Sequence, residues 1–198
     1  MTGTIRLATA ADGAAAAAIY APIVDETSIS FETVAPTAGE MGGRIASVLR
    51  YAPWLVCTRG GAVQGYAYAS RHNDRAAYTW SVNVSVYVHA GHRRRGVAQA
   101  LYASLFELLR LQGFYTAHAG ITLPNAASVA THESMGFRPV GVYERVGYKK
   151  GAWHDVGWWQ LPLRAREGAP RPPLTLEEAA AQPGWTEALQ GGLVRLRA

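Results

Sequence analysis

Residues 80–101 read Trp80-Ser-Val-Asn-Val-Ser-Val-Tyr-Val-His-Ala-Gly-His-Arg-Arg-Arg-Gly-Val-Ala-Gln-Ala-Leu101, and the apolar positions run on through Leu105, Leu108 and Leu109. Val82, Val84, Val86 and Val88 alternate with Ser81, Asn83, Ser85 and Tyr87, the period-two pattern of a strand with one apolar face. A basic turn from His92 to Gly96 follows, and then Val97, Leu101, Leu105 and Leu108 recur at helical spacing. A strand therefore feeds a glycine-bearing turn that opens a helix. Such a corner aims several free backbone N–H groups, and the positive end of a helix dipole, at one spot. The spot favours an anion, a phosphate above all.

Two familiar phosphate loops do not fit. A Walker loop needs Gly-x-x-x-x-Gly-Lys-Ser/Thr and a dinucleotide fingerprint needs Gly-x-Gly-x-x-Gly; the stretch has neither. It carries Arg93-x-x-Gly96-x-Ala98, a basic residue followed by two small ones. Alone, this reads either as a backbone closing round a pyrophosphate or as a solvated basic turn capping an ordinary helix. A second segment adds to the first reading: Asn125-Ala-Ala-Ser128-Val-Ala-Thr-His132-Glu-Ser-Met-Gly136-Phe137. Asn125 is a helix cap, Ala126, Val129 and Ala130 give an apolar stripe, and Gly136 suits a left-handed end. Together the segments resemble the acetyl-coenzyme A signature of the GNAT acetyltransferases, Gln/Arg-x-x-Gly-x-Gly/Ala with a downstream Asn-x-x-Ala/Ser and Gly-Phe. The resemblance implies acetyl-coenzyme A as cofactor. It would be held by Ser85, Val86, Tyr87 and Val88, by Arg93, Arg94, Arg95, Gly96, Val97, Ala98 and Gln99, and, near the thiol, by Asn125 and Ser128. His132 stands where a tyrosine is common in that superfamily.

The chain has 198 residues, enough for one well-cored domain with a little over. Nineteen Lys and Arg against fourteen Asp and Glu give a net charge of +5. The tight basic cluster is Arg93 to Arg95, inside the proposed phosphate loop, and no aromatic-interleaved basic face accompanies it. A small polyanion accounts for the charge better than nucleic acid does. The single cysteine, Cys57, excludes an intramolecular disulfide and reads as a buried strand residue. No stretch reaches the roughly 18 apolar residues of a membrane span. The run Ala14 to Ala18 lacks the basic flank of a signal peptide, so no membrane partner and a cytoplasmic location are expected.

In chain order, the patterns predict a strand at 4–7, a helix from Thr9 or Asp12 that breaks near Pro22, a loop at Ser28 to Glu32, and a helix at about 37–49. A hairpin follows, 54–58 and 63–70 about Arg59-Gly-Gly, then a polar loop from Arg71 to Tyr78. Beyond the central helix, strands are predicted at 115–121, 140–146 and 156–163, with a loop rich in rings and charge at 147–155. The fold class is a mixed α/β sheet with helices on both faces. Residues 1–164 form the domain; 165–198 are a proline-rich extension, a linker or surface strap, with one short helix near 174–181 capped by Thr175. From the residues alone, Arg71 and Arg75 could hold a substrate carboxylate in forked hydrogen bonds, or lie solvated in their loop.

The resemblance narrows to the phosphinothricin N-acetyltransferase group. It rests on Ala67-Tyr-Ala-Ser70, Arg75-Ala-Ala-Tyr78-x-Trp80, Ser85-Val-Tyr-Val88, the Asn125 segment, and Gly147-Tyr-Lys-x-Gly-x-Trp153-His-Asp155-Val-Gly, together spanning about residues 5–163. It implies a mostly antiparallel sheet, a homodimer, and acetyl transfer to the primary amine of a small amino acid or analogue. Phe31, Glu32, Arg71, Arg75 and Tyr78 would line the acceptor site. His132 would contact the thiol or return its proton. One position departs from the group: where a glutamate commonly serves as base, this chain has Asn83, an amide that cannot accept a proton. Glu32, His132 or a chain of water would then have to serve, and turnover is expected to be slow or substrate-restricted. Two alternatives stay open. One is a coenzyme A binding or regulatory protein of the same fold; the other is an acetyltransferase for a peptide, amino sugar or polyamine.

Overall fold

A computed structural model of the chain describes residues 3–197. Its elements are β1 (Gly3–Leu7), α1 (Gly13–Glu26), α2 (Ala38–Leu49), β2 (Trp54–Arg59), β3 (Ala62–Arg71), β4 (Ser81–Val88), α3 (Val97–Gln112), β5 (Thr116–Leu123), α4 (Ala126–Ser134), β6 (Arg138–Lys149), β7 (Ala152–Pro162), α5 (Leu176–Ala180) and α6 (Trp185–Gly191). Seven strands make one sheet in the order β1-β2-β3-β4-β5-β7-β6. Among the described residues β4 and β5 pair in parallel and every other pair is antiparallel.

Strand alternation divides the molecule into two layers. Ala67, Ala69, Val82 and Val84 face α3, where Leu101, Leu105, Leu108 and Leu109 are fully buried against them. At about 1.5–3 kcal/mol for each large apolar side chain taken from water, this interface dominates the core. On the other face Trp54, Val56 and Tyr66 pack under α1 and α2 with Ile19, Tyr20, Met41 and Ile45. Trp54 stacks on Tyr68 at 4.2 Å between centroids and on Tyr66 at 5.4 Å, so stacked rings line part of the sheet side of this layer.

Three expectations need correction. Helix α1 does not break at Pro22 but runs on to Glu26, because the ring removes only one amide donor and Ile23 and Val24 beyond it are buried. Residues 147–155 are not a loop: β6 and β7 continue through them and meet at a two-residue turn, Lys150 and Gly151, both at positive φ as a primed hairpin turn requires. The carboxy-terminal segment forms two short helices rather than one. Ala179 and Trp185 enter the main core, and α6 lies on α3, with Ser104 Oγ donating to the Leu189 carbonyl at 2.8 Å. The segment leading to them runs along the end of the sheet, tied by Trp80 Nε1 to the Arg171 carbonyl at 2.7 Å.

The entry to α1 carries a pH-dependent tie. Both Asp12 oxygens accept from Arg6 at 2.7 Å, and Oδ2 also accepts the Thr9 N–H at 2.8 Å. The Arg6 guanidinium holds the Asp12 carboxyl below its usual range, against the opposing effect of burial. The stabilisation is complete above the ordinary carboxylate value of about 3.9 and is lost as pH falls through the lowered folded value. Asp12→Asn should therefore cost about 1–3 kcal/mol at neutral pH. In denaturant titrations the gap to the unsubstituted protein should close below about pH 4.

Candidate active site

Strands β4 and β5 are joined over three residue pairs, Ser81–Thr116, Val82–Ala117 and Asn83–His118. Beyond Asn83 they part, leaving Val84 to Val88 unpaired on that side among the described residues. The backbone N–H and C=O groups so exposed need partners. A cleft of about 450 Å³ opens there, walled by Val86, Tyr87 and Val88, by Arg93, Arg94, Gly96, Val97, Ala98 and Gln99, and across from them by Asn125, Ser128 and His132.

The loop at its end is built for an anion. Gly96 stands at the N-cap of α3 with φ +77°, and among the described residues no side chain caps that helix. The first-turn amides of Val97, Ala98 and Gln99 are thereby left free toward the cleft. Arg94 also holds a left-handed φ of 61°, uncommon for a residue with a Cβ and a mark of functional loops. Arg95 is not among the residues that line the cleft; its carbonyl accepts the Arg197 N–H at 3.0 Å on the outer side of the loop. The end of the chain therefore backs the anion loop. A Cβ on Gly96 would overlap the Arg195 carbonyl oxygen.

The facing wall is helix α4. Asn125 Oδ1 accepts the Ser128 N–H at 3.2 Å, and Gly136, at φ +93°, follows the helix as the sequence indicates. His132 is buried, with its Nδ1 2.8 Å from the Ser128 carbonyl and its Nε2 3.0 Å from the Tyr102 hydroxyl. A carbonyl can only accept, so the proton sits on Nδ1 and Nε2 accepts from Tyr102. Burial lowers the pKa of the ring, outweighing the Ser128 contact, which raises it. As placed, neutral His132 has no donor left for a sulfur.

On the α1 and α2 side of β4, the residues Asn83, Ser85 and Tyr87 share a face with Tyr66, Tyr68 and Ser70 of β3. The Ser28–Glu32 loop lies over it. Glu32 receives a fork from Arg44, 2.7 and 2.9 Å, and the Tyr20 hydroxyl at 3.0 Å. The Arg44 guanidinium holds the Glu32 carboxyl low; burial pushes the Tyr20 phenol up to about 12. Phe31 rests against Gly147 and His154. Lys149, buried, donates to the Val24 and Ser30 carbonyls at 2.6 and 2.8 Å and anchors the loop from below. Tyr78 packs on His72, whose Nδ1 lies 2.9 Å from Asn83 Oδ1.

Arg71 and Arg75 do not join this face. Strand alternation turns Arg71 to the α3 side, where its guanidinium sits 4.2 Å over the Tyr51 ring. Arg75 is exposed at the start of a short turn. Sequence reasoning missed Tyr20, Arg44, Tyr68, His72, His118 and Lys149. Of these, Lys149 and Tyr68 carried a signal, their places in the Gly-Tyr-Lys and Ala-Tyr-Ala-Ser motifs.

The chain is similar to proteins already known. The description "Acetyltransferase (GNAT) domain" fits residues 5–158. The chain belongs to the GNAT acetyltransferases. Among GNAT relatives, a phosphinothricin N-acetyltransferase of Streptomyces viridochromogenes is 39% identical over 168 residues, 85% of this chain and 91% of the relative. An L-methionine sulfoximine/L-methionine sulfone acetyltransferase of Salmonella typhimurium is 34% identical, covering 81% of this chain and 94% of its own. A GNAT superfamily phosphinothricin acetyltransferase from Sinorhizobium meliloti, solved in complex with acetyl-coenzyme A, superposes with a TM-score of 0.79. It is 32% identical and covers 89% of this chain and 99% of that one. The mixed sheet expected from the sequence is therefore the GNAT sheet.

Proposed function

We propose that this protein transfers the acetyl group of acetyl-coenzyme A to the primary amine of a small amino acid or analogue, of the phosphinothricin or methionine sulfoximine type. The observation that carries the reading is the parting of β4 and β5 beside a helix N-terminus with free amides. The cofactor fits what is there: first-turn amides and Arg93 and Arg94 for its diphosphate, the unpaired edge of Val84 to Val88 for its amide-bearing arm, and Asn125 and Ser128 on the opposite wall. When bound, it supplies an activated acyl carbon and a thiolate leaving group. A backbone N–H near Val86 is placed to stabilise negative charge on the acyl oxygen. The acceptor would enter over Asn83 and Ser85, beneath the Phe31–Glu32 loop, with Tyr78 at its border.

The experiment is an amine panel scored by free-thiol release, including phosphinothricin, methionine sulfoximine and matched amines lacking the carboxylate. Release with the amino acids and not with the polyamine, amino sugar or peptide members supports this reading. Saturable acetyl-coenzyme A binding with no release against any amine would replace it with a cofactor-binding role.

We further propose a homodimer working in the cytoplasm. Val140, Val142, Tyr143, Val146, Tyr148 and Trp153, all on the β6–β7 hairpin, are 50–62% exposed, an unusual density of apolar surface on an edge strand. A twofold contact would cover it. Light scattering should give twice the 21.3 kDa chain mass, and Val142→Lys with Tyr148→Glu should give the chain mass itself. Among the described residues no helix is long and apolar enough to cross a membrane.

A further inference from the structure

The acceptor amine is protonated at neutral pH and has no lone pair to attack with until a base removes a proton. The carboxylate and imidazole first in line do not serve. Glu32 is held by the Arg44 fork and by Tyr20, and both nitrogens of His132 are engaged inside the protein. Asn83, where the strands part, is an amide.

Asn83 has a partner. Its Nδ2 lies 3.4 Å from the Arg71 carbonyl, which fixes the orientation of the amide, and its Oδ1 lies 2.9 Å from His72 Nδ1. An amide oxygen only accepts, so His72 Nδ1 bears the proton and, in the neutral ring, Nε2 keeps its lone pair. The ring is held on several sides. It stacks on His118 of β5 at 4.2 Å between centroids, meets Trp158 of β7 edge-on at 6.3 Å and tilts against Tyr78 at 5.6 Å. Trp158 in turn covers Gly120, which lines the gap between the strands.

We propose that His72 is the proton acceptor of the reaction and that Asn83 is its positioning residue, fixing the tautomer that leaves Nε2 free. This rests on the transferase reading above. Asn83 is two residues from Ser85 along β4, roughly 7 Å, a span that two hydrogen-bonded waters can bridge. His72 Nε2 takes one ammonium proton and passes it to solvent. The nitrogen lone pair so freed forms the C–N bond as the C–S bond breaks, and a second nitrogen proton goes to the departing sulfur. The surrounding charges leave this role open. His118, lowered to about 4 by burial first and then by His72 and Arg166, is neutral at pH 7 and adds no charge to the stack. Arg166 is turned to Thr116 Oγ1 at 2.8 Å, and Arg71 to the Tyr51 ring on the opposite face.

Two measurements test it. In ¹⁵N-histidine-labelled protein, with His72 assigned by its loss in His72→Gln, the ring at pH 8 should carry its proton on Nδ1, and Asn83→Ala should erode that preference. This readout needs no amine and stands whether or not the transferase reading does. Kinetically, His72→Gln should lower kcat about 10²–10⁴-fold, with the affinity for acetyl-coenzyme A unchanged. It should also abolish the rising limb of the pH profile. A proton on Nε2 at pH 8, or a variant that keeps the rate and the limb within twofold, overturns the proposal.

Discussion

Gly96→Val should abolish tight acetyl-coenzyme A binding and lower the melting temperature together. At φ +77° a β-branched residue is strained, and its Cβ would overlap the Arg195 carbonyl oxygen behind the loop. The loop cannot turn inward without closing the cleft, and the tail cannot retreat without breaking the bond between Arg197 N–H and the Arg95 carbonyl. Left-handed strain of about 1–2 kcal/mol with the loss of that docking should total about 3 kcal/mol, or roughly 6–12 °C for a chain of this size. Acetyl-coenzyme A affinity, read by calorimetry, should fall at least tenfold, that is by about 1.4 kcal/mol or more. Gly61→Val is the control: the same left-handed backbone, φ +82°, but open space around its Cβ. It should show the strain alone and bind acetyl-coenzyme A normally. Equal effects in the two variants would mean that the tail does not back the loop.

The second large effect is expected at Lys149. Its ammonium caps the Val24 carbonyl in the last turn of α1 and ties down Ser30, where a cation also complements the helix dipole. Lys149→Met leaves two carbonyls without their donor, a loss of about 2–4 kcal/mol at the usual worth of charge-assisted hydrogen bonds. Because Ser30 Oγ bonds Tyr20 at 2.7 Å beneath the acceptor loop, KM for the amine should rise several-fold while acetyl-coenzyme A affinity stays within twofold. Lys150→Met removes an exposed ammonium bonded to the Asp25 carbonyl and should stay within about 0.5 kcal/mol of the unsubstituted protein. An unchanged amine KM in Lys149→Met would detach the loop from the acceptor site.

What the sequence discloses and what it hides follow from the range of the interactions. The β4–loop–α3 corner is local: a switch from period two to helical spacing announces it, and the Asn125 cap and Gly136 are equally local signals. His72 and Asn83 are eleven residues apart and meet because Ser70 pairs with Asn83 across β3 and β4; no spacing rule predicts that register. The same dependence on register misplaced Arg71, which one step of alternation carries to the opposite face. The ends of β6 and β7 were hidden for another reason. Glycines and charges interrupt the alternation, and the strands bear apolar residues on positions that the single chain leaves in water. Helix α1 outlasts Pro22 because tertiary burial of Ile23 and Val24 outweighs a local propensity. Of the tail helices, α5 is announced by its Thr175 cap, whereas α6, seven residues long, is too short for a clear period.

A crystal structure of the protein with acetyl-coenzyme A tests the central claim most directly. The account predicts diphosphate oxygens at hydrogen-bond distance, about 2.7–3.2 Å, from backbone amides between Arg93 and Gln99, with the acetyl group in the gap between β4 and β5 beside Val86. A cofactor bound elsewhere, with that corner filled by side chains of the protein itself, would contradict it.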